Sequence, residues 1–255
     1  MKHSPFLTGT RQAVYKFLAD VLISPIAVPG HDFVDRIFSS PLSFDAQGDN
    51  ASSDSVEGGR LLKICADYYV HGDREEMQKE IAIDRTRLFR GAGKVNEAPP
   101  PYEAFYLAPQ KEPEHMVKVA YFYHKAGLKI SASSDRPDYL GLELAFMAEL
   151  CDRERRLALR KNPQNHLEVL ALEKEFLEDH LLRWVPTYCQ KLAELARTDF
   201  FKGFAFLLRG FLNEELDWIC SERSNGSEKQ MPRKSGPKRE KTGKRETGKE
   251  DEQAL

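Results

Sequence analysis

"RPDYLGLELAFMAELCDRERRLALRK", residues 136–161, decides the fold class. Leu140, Leu144, Met147 and Cys151 return every three or four positions and so share one stripe of a helix. A Pro-Asp pair precedes the first leucine, which places the start of a long amphipathic helix near Asp138, with that carboxylate as its N-cap.

The helical period continues on the C-terminal side. "NPQNHLEVLALEKEFLEDH" (162–180) offers Asn162 as N-cap and Pro163 at the first helical position. "HLLRWVPTYCQKLAELA" (180–196) contains Pro186, which predicts a kink or a helix start there. "TDFFKGFAFLLRGFLNEELDWIC" (198–220) is the most hydrophobic segment and reads as the last core helix.

The N-terminal side reads the same way. "EHMVKVAYFYHKAG" (114–127) is helical and stops at Gly127. "DREEMQKEIAIDRTRLFR" (73–90) opens with Asp73 and Glu76 at capping-box spacing, and Met77, Ile81, Leu88 and Phe89 supply its buried face. "VEGGRLLKICADYYV" (56–70) is helical, residues 39–55 are loop by composition, and "HDFVDRIF" (31–38) is a short helix. "TGTRQAVYKFLADVLI" (8–23) carries Val14, Tyr15, Phe17, Leu18, Val21 and Leu22, with Thr8 or Thr10 as N-cap. No segment reads as a strand. The expectation is all-α: one domain over residues 1–221 with roughly eight to ten helices around one core.

From residue 222 the composition changes. Residues 222–255 hold ten Lys/Arg against seven Asp/Glu and no aromatic residue, so the tail is +3 and the body −5. Such a segment buries too little apolar area to offset its ordering entropy, which predicts a disordered tail. Acidic residues interleave it throughout, the mark of a solubilising tail, and no nucleic-acid partner is expected.

Several function classes lack support. Cys65, Cys151, Cys189 and Cys220 stand far apart, so there is no Cys-x-x-Cys motif, and each sits in an apolar helical context that suits a buried thiol. The N-terminus has no apolar run like that of a signal peptide, and no stretch approaches the ~18 apolar residues of a membrane span. The chain reads as cytoplasmic. "GAGK" (91–94) lacks the phosphate-loop spacing, no Gly-x-Ser-x-Gly elbow exists, and His115/His124 and His166/His180 share no ligand spacing. No catalytic residue, metal ligand or cofactor is assigned, and weight moves toward a binding protein. An enzyme built on dispersed carboxylates, a hydrolase or nucleotide-processing protein, is the alternative.

"NEAPPPYEAFYL" (96–107) interrupts the helical text. Pro99, Pro100 and Pro101 predict a stiff, extended, donor-poor connector between a helix ending near Phe89 and one starting near Glu114. Its carbonyls and the rings of Tyr102, Phe105 and Tyr106 are available to a partner or to the core.

Three motifs in order, "RLF" (87–89), "EAPPPY" (97–102) and "RPDYLGLELAFMAEL" (136–150), resemble the TorD/DmsD/NarJ family of redox-enzyme maturation chaperones. The later segments 180–192 and 200–212 are similar to that family's later helices, so the resemblance runs over about residues 10–220. Arg85 replaces an expected aromatic residue, and Tyr139 stands where a histidine often follows the aspartate. The resemblance implies a cytoplasmic all-helical chaperone. It would bind the N-terminal leader of a molybdoenzyme catalytic subunit, often a twin-arginine leader, and hold the subunit until cofactor insertion is complete. It admits a homodimer formed by helix exchange. Such a leader needs apolar and aromatic walls with one or two carboxylates. The candidate leader-binding residues are Leu88, Phe89, Glu97, Pro99, Pro100, Tyr102, Pro137, Asp138 and Tyr139, with Glu97 and Asp138 as arginine acceptors.

Overall fold

The computed structural model describes residues 10–23, 51–90, 100–129, 136–160 and 163–230. Along these the order is α1 (Thr10–Ile23), α2 (Ser53–His71), α3 (Arg74–Arg90), the short α4 (Glu103–Leu107), α5 (Glu112–Lys125), α6 (Leu140–Leu159), α7 (Pro163–Phe176), a π-helical turn (Leu177–Leu181), α8 (Leu182–Leu195) and α9 (Asp199–Gln230). Among the described residues no strand forms; Tyr102 and Tyr139 make an isolated antiparallel bridge. The all-α reading holds.

Local chemistry accounts for the helix ends. Asp73 Oδ1 accepts the Glu76 amide at 3.0 Å ahead of α3. Gly127 adopts φ +72° after α5, and the Leu128 amide reaches back to the Tyr123 carbonyl at 2.8 Å, a Schellman closure that favours glycine. Helix α2 begins earlier than composition suggests: Ser52 Oγ accepts the Ser55 amide at 3.1 Å, so the serines read as loop are the cap and first turn. The proposed caps Thr8 and Asn162 and the helix at 31–38 lie outside the described residues.

Pro186 does not start a helix. It lies inside α8, and α7, the π turn and α8 form one continuous rod. The irregularity sits one turn earlier, where the Leu182 amide donates to the Leu177 carbonyl five residues back. Pro186 has no N–H for the Leu182 carbonyl, so the wide turn falls where the ladder is already broken.

The stripe Leu140, Leu144, Met147 and Cys151 is fully buried, and α6 packs closely on α1, whose Val14, Leu18 and Val21 are also buried. On the other side, α9 packs closely on α2. Gly58 lies so near α9 that a Cβ there would stand 2.3 Å from the Leu207 amide nitrogen. Cys65, Cys151 and Cys189 are buried as expected, whereas Cys220 is exposed, on the outer face of α9. Helix α9 runs on to Gln230, past the boundary drawn at residue 221, and residues 231–255 lie outside the described residues. Glu222, Arg223, Glu228, Lys229 and Gln230 are good helix formers, which favours the extra turns.

Arg11 of α1 ties four helices together. Its guanidinium donates to Glu215 (3.0 and 2.8 Å), Glu154 (2.8 Å) and Glu173 (2.6 Å), and it lies 3.9 Å from the Trp218 ring centre. His166 Nε2 stands 2.9 Å from Glu154 at the edge of the cluster. One arginine cannot neutralise three buried carboxylates. Burial outweighs its attraction at Glu173 and pushes that carboxyl up to about 7.

Candidate functional site

The proline segment and the "RPDY" segment meet. The Leu140 amide donates to the Pro101 carbonyl and the Glu103 amide to the Asp138 carbonyl, both at 2.9 Å. The Tyr102 and Tyr139 rings lie 5.5 Å apart, and Tyr139 donates its hydroxyl to the Leu22 carbonyl at the end of α1 (2.8 Å). Pro100 is exposed, whereas Tyr102, Pro137 and Tyr139 are half-buried. The connector is shorter than expected. After Pro101 the chain turns directly into α4 and does not stay extended to residue 114. Glu97 and Pro99 lie outside the described residues.

Asp138 is fully buried and already occupied. Its Oδ2 accepts the Ala104 amide at 3.1 Å, capping α4, where Tyr102 offers no side-chain bond. Arg136 grips both oxygens at 3.0 and 2.9 Å, bonds Glu112 at 2.9 Å and lies over the Tyr102 ring. The carboxylate expected to take a partner's arginine thus holds one from its own chain, and it caps α4 rather than α6.

Beneath the junction is a polar chamber in an aromatic shell. Glu103, fully buried at the start of α4, has both oxygens 2.9 Å from His180 Nδ1, and its Oε1 is 3.1 Å from His115 Nε2. His180 stacks on Phe176, with ring centres 4.8 Å apart, and meets Phe122 edge-on. Glu143, in the first turn of α6, is fully buried, with Glu103 and the Trp184 indole beside it. Burial first, then the adjacent Glu103, raises its carboxyl well above the usual range. Sequence spacing could not reveal this set: its members come from α4, α5, α6 and the π turn.

Leu88 and Phe89 lie elsewhere. Leu88 is core at 4% exposure, and half-buried Phe89 packs edge-on against Phe201 of α9. Phe201 adjoins Phe200, a wall of a groove of about 630 Å³ between α2, α3 and the start of α9. Cys65, Met77 and Ile81 line its buried part; Ile64, Tyr68 and Ile83 stand exposed along it. Exposed Glu76, Glu80 and Asp199 face a single basic residue, Arg197, among the groove's lining. Asp84 is withdrawn from this rim: its Oδ2 takes the Arg197 and Thr198 amides at 2.9 and 2.8 Å.

Residues 57–190 match the family described as nitrate reductase delta subunit. The chain is also similar to several proteins named chaperone protein TorD. The one from Vibrio vulnificus (strain YJ016) is 27% identical over 151 residues, covering 58% of this chain and 67% of the relative. Its counterpart in Vibrio parahaemolyticus is 24% identical over 156 residues, 59% of this chain and 69% of the relative. That of Shewanella piezotolerans is 26% identical over 156 residues, 57% and 65% respectively. No solved structure matches the chain significantly.

Proposed function

This chain belongs to the nitrate reductase delta subunit family, and from that premise we propose that it is a chaperone for a molybdoenzyme catalytic subunit. It binds the client's N-terminal leader in the cytoplasm and holds the subunit until its cofactor is inserted, before export. No bond in the client is made or broken.

The groove between α2, α3 and α9 is the observation that supports this reading best. A leader pairs a basic stretch with an apolar one. Ile64, Tyr68 and Ile83 offer accessible apolar surface, and Glu76, Glu80 and Asp199 offer carboxylates beside it. These exposed acids are better placed for an incoming arginine than Asp138, which would first have to release Arg136. In this account Leu88 and Phe89 back the groove from α3. Pro100, Tyr102, Pro137, Asp138 and Tyr139 hold the end of the proline segment in place.

Co-expression with a molybdoenzyme catalytic subunit tests the proposal. The full chain is expected to co-purify with the subunit carrying its leader and to lose it when the leader is deleted. Equal recovery with and without the leader would overturn leader recognition.

A further inference from the structure

The chamber under the Tyr102–Tyr139 junction has the donor set of a metal centre. We propose that Glu103, His115 and His180 bind a divalent transition-metal ion, Zn²⁺ foremost. Nothing in the leader-binding account requires this, and the two stand or fall separately.

The donor atoms converge. One carboxylate oxygen, His115 Nε2 and His180 Nδ1 all lie within 4.8 Å of one another, each on a buried residue. Two imidazoles with carboxylate suit zinc and its first-row neighbours better than calcium or magnesium. With bonds of about 2.1 Å, tetrahedral ligands stand roughly 3.4 Å apart, a few tenths beyond the 2.9 and 3.1 Å contacts made to Glu103.

Asp138 is matched by Arg136, but Glu143 is completely buried beside Glu103 and no cation is paired with it among the described residues. Such a group is costly to bury unless something positive or a proton sits against it. Two neutral imidazoles, two carboxylates and one divalent ion sum to zero.

His180 sits in the π turn, and single π turns recur at functional sites because the extra residue re-aims a side chain. His115 reaches the chamber from the first turn of α5 at 8% exposure, so the centre lies just below the surface.

The test uses the full chain, stripped with a chelator and titrated with Zn²⁺, and separately with Co²⁺, whose visible spectrum reports coordination. One equivalent of zinc per chain is expected, with the absorption of tetrahedral Co²⁺ and a raised Tm. His115→Gln, close to the surface and the variant least exposed to folding failure, should weaken zinc binding by more than about 100-fold, above the ~10–100-fold range of outer-shell losses. Glu143→Gln should weaken it too while keeping the wild-type helical circular dichroism. His71→Ala, on the exposed end of α2, should bind as wild type does. Binding by the wild type with no stoichiometric endpoint, or equal binding by His115→Gln, would overturn the centre. The set would then be a proton-sharing network in which the imidazoles donate to Glu103 and Glu143 stays protonated.

Discussion

Asp138 caps a helix to which it does not belong: its Oδ2 accepts the Ala104 amide, 34 residues earlier in the chain. The same carboxylate holds the Arg136 fork, and the Asp138 carbonyl takes the Glu103 amide. One residue thereby locks the proline segment to the start of α6 and sets Glu103 above the chamber.

That lock predicts a local loss. Asp138→Asn removes the charge that Arg136 and the Ala104 amide share, while Arg136, partly exposed, regains water. Amide exchange at Ala104 should quicken about tenfold, equivalent to roughly 1.4 kcal/mol for a lost cap, with little change in the α9 core. Hydrogen-exchange mass spectrometry over residues 100–107 measures it; unchanged protection there would contradict the capping role.

The α2–α9 contact makes a second prediction. A methyl at Gly58 would meet backbone atoms of Leu207, which cannot swing aside as a side chain can. Gly58→Ala should cost about 1–3 kcal/mol in urea unfolding through overpacking. Gly127→Ala meets open space but must hold φ +72°, costing about 1–2 kcal/mol by strain alone. The first change should loosen α2 against α9 and the second only fray α5, which exchange data separate.

Acidity acts through Glu173. Its folded pKa is raised to about 7 from an unfolded value near 4.5, so between those values the folded state binds the extra proton. The stability tied to that proton is complete below about pH 4.5 and is lost as pH rises through about 7. It amounts to something on the order of 3 kcal/mol. Glu215, raised in the same direction by burial, adds to the trend. Urea midpoints from pH 5 to pH 8 should fall in the wild type and fall distinctly less in Glu173→Gln. Parallel curves would show that Glu173 is not the titrating group.

The helices were legible because burial enforces a period. Leu140, Leu144, Met147 and Cys151 announce α6, and all four are core. Asp73 and Gly127 likewise act locally, and local chemistry is what a sequence writes down. Two errors have a common cause. Pro186 marks a disturbed ladder but not where the chain absorbs it, and the π turn lies a turn earlier. The serines before α2 read as loop, although Ser52 and Ser55 serve as cap and first turn. The candidate site was half legible. The two motifs stand apart in the sequence, and their meeting through Tyr102 and Tyr139 needs the fold. Asp138 reads as the cap of its own helix and as an acceptor for a leader's arginine; it caps α4 instead and holds Arg136 of its own chain. The chamber was illegible, since Glu103, His115, Glu143 and His180 share no spacing. An arginine among Val14, Tyr15 and Leu18 in an apolar helix, as Arg11 is, signals that buried acids exist elsewhere, here Glu154, Glu173 and Glu215.

The central claim is that the acid-rimmed groove receives the leader while the Tyr102–Tyr139 junction braces the fold. Fluorescence anisotropy with a labelled twin-arginine leader peptide and the full chain tests it most directly. Tyr68→Ala should weaken binding by about 1–3 kcal/mol. Joint Glu76→Gln and Glu80→Gln should weaken it more at low salt than at high salt. Tyr102→Ala should lower stability before it lowers affinity. Full affinity in the groove variants, with loss confined to Tyr102→Ala in a chain that remains folded, would contradict the account and move the leader to the junction.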